Sequence, residues 1–275
     1  MIGGSGLDIV DYSGSSEAVN VNLSTGATSG GDATGDVIND GIDGFIGTAF
    51  NDTLVGYDGI FDGGTTTNYI DGGAGNDTVS YFQNPTNGVI VNLSNTTEGI
   101  SPEAISGGTA FDPYSAEIDT LSNIENAEGS SFDDFLIGSD VTNRLSGDAG
   151  NDTIYGGGGA DILEGGEGMD VFIYNSPSDS GIGGLLRDVI LDFDAIGADK
   201  IDISVFNEGM FMFVGDDTND FAGYGASSAR FNNETKILEI DADGDAQADM
   251  EIELQNVDGA DLDSNDFMVS GGQVA

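Results

Sequence analysis

Residues 129–173 read GSSFDDFLI, GSDVTNRLS, GDAGNDTIY, GGGGADILE and GGEGMDVFI, five consecutive blocks of nine without a gap. The first position is always glycine: Gly129, Gly138, Gly147, Gly156 and Gly165. The sixth is Asp134, Asn143, Asp152, Asp161 and Asp170. The eighth is Leu136, Leu145, Ile154, Leu163 and Phe172. Agreement in three columns at once marks a structural repeat rather than a compositional accident. Glycine opens backbone angles with positive φ, and a short aspartate side chain suits a tight turn. A lone apolar position between polar ones reads as a short strand with one face turned to a core.

Further copies lie upstream. Residues 3–11 (GGSGLDIVD) place Asp8 at the sixth position, and residues 72–80 (GGAGNDTVS) place Asp77 there. Residues 47–55 (GTAFNDTLV) place Asp52, and a weaker block opens at Gly63 with Asn68 and Ile70. A larger duplication is superimposed. After the Gly3 block come Tyr12 and the run Val19-Asn20-Val21-Asn22-Leu23-Ser24; after the Gly72 block come Tyr81 and Val89-Ile90-Val91-Asn92-Leu93-Ser94. Each copy continues to an aspartate (Asp36, Asp119) and then to a degenerate block (Gly47, Gly129). The alternating V-x-V-N-L-S strand is expected to pair alongside the repeats.

The blocks resemble the nonapeptide G-G-x-G-x-D-x-U-x of the RTX family of secreted calcium-binding proteins. That resemblance implies an all-β fold, a right-handed parallel β-roll in which two nonapeptides make one turn. Same-side turns then stack 18 residues apart. The family places calcium between stacked turns, held by the sixth-position side chains and by carbonyls of the first, third and fifth positions. Carried onto this chain, the carboxylate set is Asp134, Asp152, Asp161 and Asp170, with Asn143 as a weaker member, and Asp8, Asp52 and Asp77 upstream. The carbonyl set is Gly147, Ala149, Asn151, Gly156, Gly158, Ala160, Gly165 and Glu167. The implied stacks are Asp134 on Asp152, Asp152 on Asp170, and Asn143 on Asp161. All-oxygen ligation suits Ca²⁺, whereas Mg²⁺ demands near-ideal octahedra.

Composition supports a cation-binding chain. The 275 residues carry 5 Lys+Arg against 50 Asp+Glu, a formal net charge of −45, with 45 glycines and no His, Cys or Trp. Of the acids, 37 are Asp and 13 Glu, which favours turns over helices. Without His or Cys there is no usual zinc site, no Ser-His-Asp or Cys-His catalysis and no disulfide. Five scattered cations (Arg144, Arg187, Lys200, Arg230, Lys236) make no nucleic-acid footprint. No apolar run approaches the ~18 residues of a membrane span. The start lacks the basic and apolar regions of a cleavable signal peptide. It also lies inside a repeat, so an upstream domain is an expectation.

Past Tyr174 the nine-residue phase stops. Residues 188–193 (DVILDF), 199–204 (DKIDIS), 211–214, 237–240 and 250–254 read as strands. The pattern D-x-I-x-D-F … D-K-I-D-I-S resembles the C-terminal domain of serralysin-type metalloproteases, which implies a β-rich cap carrying an uncleaved type I secretion signal. The ending Asp266-Phe267-Met268-Val269 resembles that family's closing motif, although six more residues follow. Between two of the strands, residues 241–249 (DADGDAQAD) hold alternating aspartates. Asp241, Asp243, Asp245 and Asp249 are a secondary calcium candidate, but the glycine falls at the fourth position instead of the sixth as in an EF-hand loop.

Three parts are expected: a first module with an inserted strand segment (1–71), a second module with the regular five-repeat roll (72–173), and a serralysin-like capping and secretion domain (174–275). The leading functional expectation is a non-catalytic calcium-binding module, exported by type I machinery to the cell exterior or surface and folded by calcium there. One alternative is a polysaccharide-modifying enzyme or module, given that solenoids host lyases and epimerases. Another is a calcium-rigidified adhesion or surface-layer protein with a polysaccharide or cell-surface ligand. Against an enzyme, the cations are few and unclustered.

Overall fold

A computed structural model of the chain describes every residue except 5, 24, 40, 57–67, 83–86, 97–105, 114–117, 198, 206–210, 217–218, 224 and 271–275. The Gly63 start of the weaker upstream block and the last five residues therefore lie outside the described residues. Among the described residues the regular structure is β, with two short 3₁₀ turns at Gly31–Ala33 and Ser264–Asp266. The chain divides into two compact units, 1–137 and 138–275.

In the second unit each nonapeptide contributes one short strand, and successive strands go to opposite sheets. Arg144–Ser146, Ile162–Glu164 and Asp188–Ile190 lie in one sheet; Thr153–Gly157, Val171–Ile173 and Lys200–Asp202 lie in the other. All of these pairs are parallel. Leu145 sits opposite Leu163 and Ile154 opposite Phe172, the 18-residue stacking that the two-per-turn roll requires. The reason is local. Residues seven and nine of a block point outward, residue eight inward, and Leu145, Ile154, Leu163 and Phe172 are all completely buried. A three-residue strand cannot bury enough alone, so stability comes from stacking one coil on the next.

The stack continues past Tyr174, with longer coils. Leu163 sits opposite Ile190, and Phe172 opposite Ile201, so spacing lengthens to 27 and 29 residues. Strand Phe267–Met268 then covers Lys200–Asp202, and Met250–Leu254 covers Asp188–Ile190. An antiparallel hairpin, Ile237–Asp241 with Met250–Leu254, extends that second sheet, followed by Ser227–Asn232 and Phe211–Asp216. Strand Ser227–Asn232 is a feature the sequence pattern did not mark.

In the first unit the same architecture runs with less regular coils. Val10 faces Phe45 and Phe45 faces Ile70 in one sheet; Val21 faces Leu54 and Leu54 faces Val79 in the other, all in parallel pairs. Both V-x-V-N-L-S strands pair with a degenerate block, Val21 opposite Leu54 and Val91 opposite Leu136. The duplication extends to a tyrosine–aspartate contact, part-buried in the first copy and buried in the second. The Tyr12 hydroxyl donates to Asp36 at 3.0 Å, and the Tyr81 hydroxyl to Asp119 at 2.8 Å.

Candidate metal centre

Asp161 shows how the sequence builds the site. Its block opens at Gly156, and Gly157 and Gly159 take φ of +90° and +130°, angles an L side chain rarely adopts. The chain folds back and delivers Asp161 into the turn, almost fully buried. Its Oδ1 accepts the Asn143 amide at 2.8 Å, while its own amide donates to Asp188 Oδ1 at 2.8 Å. On the other side Asp152 donates to Asp170 Oδ1 at 2.8 Å, and Asp170 to Asp199 Oδ1 at 2.9 Å. In the first unit Asp52 donates to Asp77 Oδ1 at 2.7 Å, and Asp77 to Glu125 Oε2 at 2.8 Å. Each carboxylate therefore caps the coil stacked against it through one oxygen.

The second oxygen is different. Oδ2 of Asp77 and of Asp161 is buried and accepts no hydrogen bond. Buried polar atoms in native proteins nearly always have a partner, so such an atom calls for one. The first-position glycines leave a cradle beside it. A Cβ on Gly147 would lie 2.2 Å from Asp152 Oδ2 and 2.6 Å from the Gly165 carbonyl oxygen, and one on Gly156 would lie 2.4 Å from Asp161 Oδ2. Carboxylate and stacked-turn carbonyl oxygens thus converge where only glycine leaves room.

Electrostatics points the same way. Burial first, then the charge on Asp188, pushes the Asp161 carboxyl up to about 8. Burial likewise raises Asp188 to about 7 and Asp77 and Asp134 to about 6. Coils stack about 4.8 Å apart, so two ionised carboxylates repel by roughly 3 kcal/mol at an effective dielectric of 20. That offsets the burial of about one leucine side chain, roughly 1.5–3 kcal/mol. A ladder of such pairs needs protons or a cation, and an all-oxygen donor set of carboxylates and carbonyls suits a hard divalent cation of the calcium type.

The remaining candidates fall into distinct places. Asp52, Asp134 and Asn143 are buried at the sixth position, each against the amide of its block's second residue, and Asp8 lies half exposed with the same contact from Gly4. Ala149 bridges Glu167 across stacked turns, and the Glu167 carbonyl accepts the Gly150 amide at 2.9 Å, leaving one lone pair on that oxygen. Asn151 Oδ1 accepts the Met169 amide at 3.1 Å, so this side chain ties turn to turn. Gly158 and Ala160 flank Gly159 in the Asp161 turn, where Gly158 N–H donates to the Ser139 carbonyl at 3.1 Å. In the hairpin, Asp241, Asp243 and Asp249 bring carboxylate oxygens within 4.8 Å of one another, without Asp245. Asp241 is spent on its own loop, its oxygens accepting the Gly244 and Ala246 amides at 2.7 and 2.9 Å.

Three ladder members went unrecognised as site residues in the sequence: Asp188, Asp199 and, stacked on Asp77, Glu125. Asp188 and Asp199 stand two residues before buried Ile190 and Ile201, the same sixth-to-eighth offset as in a nonapeptide. The D-x-I signal was present; the longer coils hid its phase. The five cations, by contrast, serve the scaffold. Arg187 pairs with Glu251, Arg230 with Glu239, Arg144 with Glu164 and Lys200 with Asp266, and Lys236 donates to the Val257 carbonyl.

Glycine turns, a parallel roll and stacked buried carboxylates define a nonapeptide-repeat β-roll protein. The family described as Peptidase M10 serralysin C terminal matches residues 115–269, more than half of the chain, and the chain belongs to it. The RTX calcium-binding nonapeptide repeat matches residues 60–80. Among solved structures, the chain is similar to the AlgE6R2 subunit of the Azotobacter vinelandii mannuronan C5-epimerase, with 28% identity, 52% of this chain and 91% of that one covered, and a TM-score of 0.35. It is similar also to the AlgE6R3 subunit of that enzyme, with 29% identity, 54% and 79% covered, and a TM-score of 0.37. A comparison with curated proteins finds no match.

Proposed function

We propose that this chain is a secreted, non-catalytic calcium-binding β-roll that completes its folding on meeting extracellular calcium. The observation that carries this reading is the buried, donor-free Oδ2 of Asp77 and Asp161, set in a ladder of like charges. Asp77, Asp152, Asp161, Asp170 and Asp188 would hold the ions, with carbonyls of the glycine turns completing the donor set. Bound Ca²⁺ supplies the positive charge and the six or more coordination positions that such oxygens can fill.

The chain's own residues explain the coupling. With calcium scarce, a net charge of −45 opposes compaction and the buried carboxylates add to that opposition. Such a chain stays loose enough to thread an export channel, in keeping with the family of its C-terminal part. With calcium in tenfold excess over the dissociation constant, each site adds about 1.4 kcal/mol to the folded state. Several sites acting together then decide whether the chain folds. The five cations are engaged in pairs or backbone contacts, and Tyr12, Tyr81 and Tyr174 are buried, which favours a scaffold over a catalytic cleft.

The test is a calcium titration of metal-stripped protein followed by far-ultraviolet circular dichroism, with magnesium as control. A gain of β signal with calcium and none with magnesium is the expected result. A stripped chain that is already fully folded and binds no calcium would sink the reading.

A further inference from the structure

The repeats divide into two kinds by the backbone of their second residue. In the blocks with Asp77, Asp152, Asp161 and Asp170 at the sixth position that residue is left-handed: Gly73 at φ +94°, Asp148 at +74°, Gly157 at +90° and Gly166 at +105°. The Gly73 amide goes to Asp71 at 3.1 Å and the Gly166 amide to Asp192 at 2.8 Å, away from the sixth side chain of their own blocks. In the described blocks opening at Gly3, Gly47, Gly129 and Gly138 the second residue keeps an ordinary φ, and its amide meets the sixth side chain of its own block. Thr48 N–H donates to Asp52 Oδ2 and Ser130 N–H to Asp134 Oδ2, both at 2.5 Å, and Ser139 N–H to Asn143 Oδ1 at 2.6 Å.

The hydroxyls complete the arrangement. Thr48 Oγ1 donates to Asp52 Oδ1 at 3.0 Å, and Ser130 Oγ to Asp134 Oδ1 at 2.9 Å. The same Oδ1 atoms also accept the Val19 amide at 2.7 Å and the Val89 amide at 2.6 Å. Each of these carboxylates thus receives three donors, spread over both oxygens, whereas Oδ2 of Asp77 and Asp161 receives none. The letters of the motif do not decide the kind. Residues 3–11 fit the repeat fully, yet Gly4 N–H donates to Asp8 Oδ2 at 2.7 Å. Asp179, nine residues beyond Asp170, is held the same way by the Asn175 amide at 2.7 Å.

We infer that a repeat takes a cation only where its second residue is left-handed, and that the turns at Asp52 and Asp134 are metal-free. There the amide and hydroxyl of Thr48 and Ser130 do for the carboxylate what a cation does in the glycine turns. A Ser or Thr in the second position is therefore a built-in substitute for a calcium ion, and the roll combines turns that need the metal with turns that do not. This rests on calcium binding by the left-handed turns, and it removes Asp52 and Asp134 from the ligand set the repeat pattern implies.

The test counts calcium ions per chain by equilibrium dialysis at saturating Ca²⁺, on the full chain and on Asp52→Asn, Asp134→Asn and Asp161→Asn, with folding checked by circular dichroism. Asp161→Asn should bind at least one ion fewer, and Asp52→Asn and Asp134→Asn as many as the parent. A lost ion in either folded Asp52→Asn or Asp134→Asn overturns the inference. A full complement in Asp161→Asn would instead overturn calcium binding by the glycine turns, a separate failure. If the asparagine variants do not fold, Thr48→Val and Ser130→Ala decide it through melting temperatures at low and high calcium. An equal drop at both concentrations is expected. A drop that shrinks in high calcium overturns the inference, because a cation has then taken the place of the hydroxyl.

Discussion

The backbone amide of Asp152 donates to Oδ1 of Asp170, 18 residues further along, at 2.8 Å, and both side chains are buried. One residue therefore serves two purposes: Asp170 caps the neighbouring coil with one oxygen and faces the glycine cradle with the other. Substitutions can separate the two. Asp170→Ala strands the Asp152 amide, at a cost of about 1–3 kcal/mol whether or not metal is present. It also removes a site worth about 1.4 kcal/mol at tenfold calcium excess. Asp170→Asn keeps an acceptor for the amide and loses only the charge. Urea melts with and without calcium should therefore show Asp170→Ala weakened in both conditions and Asp170→Asn weakened mainly in calcium. Equal behaviour of the two variants would contradict the division of labour.

The glycine cradle makes a sharper positional prediction. A Cβ on Gly147 would meet Asp152 Oδ2 at 2.2 Å, while one on Gly158 meets nothing closer than 3.7 Å. Gly147→Ala must push the carboxylate aside and is expected to lose about 1–3 kcal/mol, as for other overpacked sites. Gly158→Ala should stay within about 0.5 kcal/mol of the parent, the usual range for a harmless surface change. Calcium affinity measured on the same proteins should fall only for Gly147→Ala.

The buried tyrosines give a calcium-independent control. Tyr81 donates to Asp119 Oδ2 at 2.8 Å, and Asn68 donates to Asp119 Oδ1 at 2.7 Å. Tyr81→Phe removes one of these donors from a buried carboxylate and should cost about 1–3 kcal/mol. Asp119 lies outside the glycine turns, so the loss in melting experiments should be the same in calcium and in chelator. A loss that appears only in calcium would place Asp119 among the ligands.

Most of the roll was legible because three columns of a nine-residue period carry it: a glycine the cradle requires, an aspartate the turn requires, and an apolar residue the core requires. Leu145 opposite Leu163 and Ile154 opposite Phe172 follow from that period alone. Two features lay beyond it. Asp188 and Asp199 continue the ladder on coils of 27 and 29 residues, where loop length masks the phase although the stacking geometry is unchanged. The split between Asp52 and Asp77 depends on whether a second residue adopts positive φ, and Gly4 shows that glycine permits that angle without imposing it. Motif letters record what the backbone can do; the hydrogen bonds record what it does.

The raised carboxyls fix the direction of a pH dependence. Without metal, Asp161 is pushed up to about 8, Asp188 to about 7 and Asp77 to about 6, each first by burial. In the unfolded chain an aspartate titrates near 3.9. Between about pH 4 and pH 8 the folded chain thus holds more protons than the unfolded one, so unfolding free energy falls as pH rises. Metal-stripped protein should resist urea best at the acid end of that window and weaken steadily towards pH 8. Calcium removes the trend, because protons and metal compete for the same oxygens and a loaded site holds no proton. The apparent calcium affinity of the folded protein should therefore rise as pH is raised from about 5.5, above the sequence pI of about 4.1 where aggregation would intrude, to 8. Urea midpoints of stripped protein should fall over that pH series, while those of calcium-saturated protein stay nearly level. Stripped protein that gains stability towards pH 8 would mean that the buried carboxylates are already ionised and balanced without a cation.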